Sequence, residues 1–264
     1  MVRVPPGICH GYGRGVSSAL LGPLAAFATE LAAELGVAIS ADAREVPVGA
    51  GDPYLDVYPL SVQDSGFPAT VDRVPLRPVP VNEPGELPAW VLSRTGERPL
   101  VYLTFGTVFG AVPVIRQAID GLRGTDVDVL VAAGPSIDVD AIGGVPANVR
   151  IERWVPQADL LPHVDLLVHH GGSGTTLGAL ANGVPQLILP QGGDHFDTAD
   201  AVVRAGAGHL LPTDDQTAEA VARQVRRLLA DDGVARAARA VAVEIATMPS
   251  PADTVRVLEE SARA

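Results

Sequence analysis

From residue 100 onward, short apolar runs alternate with stretches whose apolar positions recur at helical spacing. The runs are 100–105 (LVYLTF), 127–132 (VDVLVA), 149–153 (VRIER), 165–169 (DLLVH), 186–189 (QLIL) and 208–211 (GHLL). Each is short, and most are closed by Gly, Pro or His, as expected of strands buried on both faces of a parallel sheet. Between them the pattern predicts helices over 113–122, 175–182 and 198–205 and a short turn near 157–161. Six strands joined by such crossovers predict an α/β fold, one doubly wound parallel sheet with helices on both faces. Beyond the last strand, 215–230, 234–246 and 252–264 read as helices, with Asp214 expected to cap the first and Pro249 and Pro251 separating the last two.

The first hundred residues follow another pattern. Residues 17–36 predict one amphipathic helix closed by Gly36. The stretch from 47 to 99 then carries ten of the 23 prolines, with a strand candidate only around 54–58. That density suits a linker or a domain edge, because proline cannot donate to a sheet ladder. The expected division is therefore 1–94 as a small helical and irregular segment with a Pro-rich linker, 95–248 as the sheet domain, and 249–264 as a terminal helix.

Composition removes whole classes of chemistry. All 19 basic residues are arginine, so a lysine Schiff base, a lysine general base and the lysine-bearing phosphate loop are excluded. The net charge of −12 argues against nucleic acid as a partner. The lone Cys9 excludes a disulfide scaffold and a cysteine-rich zinc site. No apolar stretch reaches the length of a membrane span and no leader pattern opens the chain, so the expectation is a cytoplasmic protein without membrane contact.

Chemistry concentrates in four loops that follow strands. At 167–180 (LVHHGGSGTTLGAL) a strand runs through a glycine turn into a helix. Glycines let the backbone approach a ligand, and the new helix offers free N–H groups and a partial positive charge, a means of holding a diphosphate without lysine. Gly172 and Gly174 belong to that turn, Ser173, Thr175 and Thr176 add hydroxyls, and His170 adds a ring donor. An ordinary capped turn reads the same way locally. A nucleophile elbow does not fit, since Thr175 stands where its second glycine belongs. His169, His170, Asp194 and His195 are metal-ligand types, but neighbouring strand residues point to opposite faces, and His169 reads as a packing residue.

Trp154 and Gln157, in WVPQ at 154–157 with Val155 between them, follow the third strand of the sheet, where an indole could stack on a flat base or simply fill core. Asp194 and His195, in LPQGGDHFD at 189–197, pair an acceptor with a donor and suit sugar hydroxyls. TFGT at 104–107 brings Thr107 and another glycine to the same edge.

Together these segments, with 52–63 (DPYLDVYPLSVQ), 167–190 and 192–200 (GGDHFDTAD), resemble the C-terminal, donor-binding half of a GT-B glycosyltransferase of the bacterial family 1 group that decorates antibiotics and other natural products. The resemblance implies transfer of a hexose or deoxyhexose from a nucleotide-sugar, a dTDP-sugar or a UDP-sugar, to a hydroxyl of a hydrophobic small-molecule acceptor. It implies that Trp154 stacks on the base with Gln157 nearby and that His170, Gly172, Thr175 and Thr176 hold the diphosphate, with Thr107, Val155, Ser173 and Gly174 counted in the same nucleotide site. Asp194 and His195 would bind the sugar. Many relatives have Asp-Gln where this chain has Asp194-His195. Plant-type relatives place a ribose-binding glutamate eight residues after the phosphate histidine; here that position is Gly178, which favours dTDP over UDP. No metal and no organic cofactor is implied.

The family's acceptor pocket and catalytic base belong to an N-terminal domain that this chain is expected to lack in large part. His10, in a glycine-rich turn, does not match that base, and the catalytic residue is unknown. The chain is thus expected to be an incomplete gene product, a half that needs a complementing protein partner, or a non-catalytic module that binds a nucleotide-sugar or a partner, with a homodimer among its candidate assemblies. A GT-B sugar 2-epimerase shares the architecture but not the WVPQ and HHGGSGTT segments.

Overall fold

The computed structural model describes residues 54–63, 73–80, 85–106, 112–134, 137 and 143–261. The expected helix over 17–36, Cys9, His10 and Thr107 lie outside the described residues.

The described residues fall into two units. One holds a parallel pair of three-residue strands, β1 (Tyr54–Asp56) and β2 (Arg73–Pro75), in which Leu55 faces Val74. The carboxylate of Asp56, almost fully buried, is paired with the Arg73 guanidinium across the two strands. Pro75 stands in a two-stranded sheet, where each strand is an edge and a missing N–H is tolerated.

The other unit is built on a six-stranded parallel sheet of β3 (Leu100–Thr104), β4 (Asp128–Ala132), β5 (Val149–Glu152), β6 (Leu166–His169), β7 (Gln186–Ile188) and β8 (Gly208–Leu210). Their order is β5-β4-β3-β6-β7-β8. In the sheet's own count this is 3-2-1-4-5-6, the doubly wound arrangement expected from the sequence. Each predicted run holds its strand to within a residue or two at either end. The helices are α1 (Ala89–Leu92), α2 (Val112–Leu122), α3 (Gln157–Leu160), α4 (Ser173–Ala181), α5 (His195–Arg204), α6 (Ala218–Leu229), α7 (Asp232–Thr247) and α8 (Pro251–Ser261). No described helix is long and apolar enough to cross a membrane.

The period of two along each strand sorts the apolar residues onto two faces. Val101, Leu103, Val129, Val131, Leu166, Val168 and Leu187 enter one core cluster, with Ile115, Ile119 and Leu122 of α2 and Val221, Val225 and Leu228 of α6. Leu100, Tyr102, Leu130 and Leu167 enter another with Val91, Leu160, Leu161 and Ala179. A third, around Leu180, Ile188, Val202, Val241 and Ile245, seats α5 and α7.

One expected cap is corrected. Asp214 lies inside a short 3-10 turn, Thr213–Asp215, and the N-cap of α6 is Thr217, whose hydroxyl accepts the N–H of Ala220 at 3.2 Å. The chain completes this extra turn as it leaves β8, which moves the capping position three residues on. The cap of α7 is Asp231, whose carboxylate accepts from Gly233 and Val234.

Candidate functional site

The strand order reverses between β3 and β6, and in such sheets ligands bind in the crevice outside the strand ends at this switch point. The chain leaves β3 through Phe105 and Gly106 and leaves β6 through His170, Gly171 and Gly172, so the two turns face each other. Gly106 adopts φ +70°, and a side chain there would begin 2.9 Å from Cε1 of His170. A side chain on Gly172 would begin 2.5 Å from Nε2 of the same ring. The His170 imidazole thus lies between two stretches of bare backbone, which is the physical reason for glycine at both positions.

His170 is 7% exposed, and its Nδ1 is buried without a hydrogen-bond partner. Burial lowers its pKa to about 4, with a further push from His195 and weaker opposing pulls from the Thr104 backbone and the Asp194 carboxylate. The ring is neutral at pH 7 and can donate one N–H.

His169 does different work. Its Nδ1 accepts the N–H of Gly171 at 3.2 Å, so the proton lies on Nε2, which donates to Oε1 of Gln186 at 2.8 Å. The Gln186 amide in turn donates to the carbonyl of Thr176 at 3.4 Å. His169 and Gln186 are both fully buried, and burial holds the His169 pKa down to about 3. The expected packing residue is therefore also the hinge pin that fixes the turn between β6 and α4. Gln186 was not foreseen; a buried-strand run opening on glutamine, QLIL, is the signal that could have found it.

Gly172 is the N-cap of α4 and supplies no side-chain cap. Thr176 is fully buried, and its hydroxyl donates to the Gly172 carbonyl at 3.0 Å, so it braces the first turn. Ser173 and Thr175 are half-buried and Gly174 is exposed at the open end of that turn. The arrangement presents backbone N–H groups, two hydroxyls and one neutral imidazole around a helix N-terminus, a combination that suits an anion.

Beyond β5, Trp154 is 44% exposed while Val155 is buried in the core. Gly85 lies against the indole, with the start of a side chain there only 2.4 Å from Cζ3. Gln157 opens α3, and its amide nitrogen is 3.5 Å from where a side chain on Gly178 of α4 would begin. The tryptophan loop and the helix with the free N-terminus are therefore adjacent.

The fourth loop is tied down by two glutamines. Nε2 of Gln191 donates to the carbonyls of Leu189 and Pro190 and to Oε1 of Gln216, and Gln216 donates to the carbonyls of Pro190 and Leu211. Asp194 is half-buried at the N-cap of α5 with no side-chain capping bond. His195 is 4% exposed, its Nδ1 accepts the N–H of Gln191 at 3.4 Å, and burial lowers its pKa. Its ring meets that of His170 edge to face, with centroids 4.7 Å apart. Among the described residues, no three His, Cys, Asp or Glu side chains converge as metal ligands.

Residues 116–261 match the family described as Erythromycin biosynthesis protein CIII-like, C-terminal domain. The chain is 37% identical over 255 residues to the L-demethylnoviosyl transferase of Streptomyces niveus, covering 94% of this chain and 63% of that protein. Two solved structures resemble it: the glycosyltransferase VinC in complex with dTDP (29% identity, TM-score 0.72, 91% of this chain and 58% of that one) and the spinosyn rhamnosyltransferase SpnG complexed with thymidine diphosphate (34%, TM-score 0.71, 78% and 56%). The chain spans about half to two thirds of the length of the relatives it matches.

Proposed function

The chain belongs to the Erythromycin biosynthesis protein CIII-like C-terminal domain family of glycosyltransferases, and from that premise we propose that residues 95–248 bind the nucleoside diphosphate of a sugar donor, dTDP-linked, for transfer to a hydroxyl of a hydrophobic natural-product acceptor. The observation that carries the reading is the His170 imidazole held beside the uncapped N-terminus of α4 at the switch point of the sheet.

In this reading the indole of Trp154 stacks on the base. The first N–H groups of α4, the hydroxyls of Ser173 and Thr175 and the ring of His170 hold the diphosphate, and Asp194 accepts hydrogen bonds from the sugar. When the bond to the anomeric carbon breaks, negative charge gathers on the departing diphosphate, where a helix N-terminus and a neutral donor are already oriented. Dipoles fixed before the reaction need no reorganisation during it. The acceptor hydroxyl must also lose its proton to a base.

Gly178 supports dTDP over UDP. Glycine carries no side chain, so no carboxylate reaches the ribose from this position, which lies on α4 beside Leu161 and the Gln157 amide. Binding of dTDP by VinC and SpnG, the subjects of two structures with the same fold, supports the same choice.

Isothermal titration of the purified chain with dTDP and UDP tests the reading. We expect dTDP to bind more tightly than UDP. Loss of base stacking in Trp154→Ala removes about 1–3 kcal/mol, a weakening of about 5- to 150-fold. Absence of affinity for either nucleotide overturns it.

A further inference from the structure

The surroundings of His195 are not those of a group turned toward a ligand. It is 4% exposed, and its Nδ1 is engaged by the backbone N–H of Gln191. Its backbone carbonyl and Cβ lie 3.0 and 3.2 Å from where a side chain on Gly171 would begin, so α5 starts directly against the turn that follows β6. That contact brings the His195 ring onto the ring of His170, centroids 4.7 Å apart and planes at 84°, the edge-to-face geometry that aromatic rings prefer.

The other walls of the His170 ring are the backbones of Gly106 and Gly172. They confine it but give its buried Nδ1 no hydrogen bond. The Thr104 backbone also hydrogen-bonds the ring, and the His169 ring lies edge to face at 6.2 Å; among the described residues His195 makes the nearer of the two ring contacts.

Resting on the donor reading above, we propose that His195 is a positioning residue: its ring fixes the His170 imidazole beside Gly172 for the diphosphate, and the sugar is recognised by Asp194 without it. The position that the sequence resemblance gives to the sugar serves the phosphates here. A histidine does what a glutamine could not, because only a ring presents an edge or a face to the second imidazole.

Calorimetry with dTDP, which lacks the sugar, and with dTDP-glucose separates the two roles. For His195→Ala we expect dTDP to bind about tenfold more weakly, and for His195→Phe, which keeps a ring, binding within about threefold of wild type. The ratio of dTDP-glucose to dTDP affinity should stay the same in all three proteins. His195→Gln keeps an acceptor for the Gln191 N–H without a ring and should behave as the alanine variant; it serves where alanine does not fold. NMR of histidine-labelled, unliganded protein gives a second reading, with His170 ring signals sharp in wild type and His195→Phe and broadened in His195→Ala or His195→Gln. Undiminished dTDP affinity in both ring-less variants overturns the proposal, as does a phenylalanine variant as weak as alanine, or a change confined to the dTDP-glucose ratio. Wild-type protein that binds no dTDP overturns the donor reading as well.

Discussion

The His169 hydrogen bonds make the stability of this fold depend on pH in a way that one substitution can isolate. The ring is neutral and fully buried, and its pKa lies near 3 in the folded protein against 6.5 for an ordinary histidine. The folded value is the depressed one, so the unfolded chain binds the extra proton: the stability present above pH 6.5 is lost as pH falls toward 3. That difference corresponds to roughly 5 kcal/mol in all, or about 1.4 kcal/mol per pH unit inside the window. Between pH 7 and pH 4.5 this group alone should remove about 3 kcal/mol. In His169→Asn the side-chain oxygen can accept the Gly171 N–H in place of Nδ1, while Gln186 loses its donor, a cost of about 1–3 kcal/mol at neutral pH. Urea denaturation followed by circular dichroism at both pH values gives the measurement. Carboxylates and the other histidines titrate in both proteins, so the gap between them reports His169. We expect wild type to be the more stable at pH 7 and the gap to shrink by about 3 kcal/mol, enough to close or reverse, at pH 4.5. A gap of equal size at both pH values refutes the reasoning.

Two further substitutions test the packing and the site. A side chain on Gly121 of α2 would begin 2.2 Å from the backbone carbonyl of Ala218 at the start of α6, so Gly121→Ala should force these helices apart and cost about 1–3 kcal/mol or more, read from the same urea curves. Gly172→Ala would drive a methyl group into Nε2 of His170 from 2.5 Å; calorimetry should show dTDP binding weakened at least tenfold with the circular dichroism spectrum unchanged, and wild-type affinity would contradict the assigned position of the ring.

The sheet was legible in the sequence because strands such as β3 and β6 are buried on both faces, which leaves near-continuous apolar runs such as LVYL and LLV. Helix starts were less so. Thr213, Asp214, Asp215 and Thr217 are all capping types within five residues, and the choice of Thr217 follows from where the chain leaves β8. The start of α5 at His195, three residues before its predicted one, is set by packing against the β6 turn. In the site, His170 and the open helix end were visible as a local pattern. The Gln186 bond to His169 was not, because it joins residues 17 apart through a sheet register that no local pattern encodes. The inward turn of His195 was hidden for the same reason, since its contact with His170 spans two elements.

The switch point divides this chain into parts with different freedom to change. Trp154, Ser173, Thr175 and Asp194 lie beyond the ends of strands, in loops or in the first turn of α4, and two of these segments are held by other residues: Gln191 and Gln216 for the one with Asp194, His169 and Gln186 for the one that opens α4. Exchange of a side chain at the rim therefore alters recognition with little effect on folding, whereas exchange at the pins beneath alters folding first. If the rim binds the donor as proposed, a lineage of such domains can explore new donors by substitution there, one element at a time, and the price falls on affinity while the scaffold keeps its register.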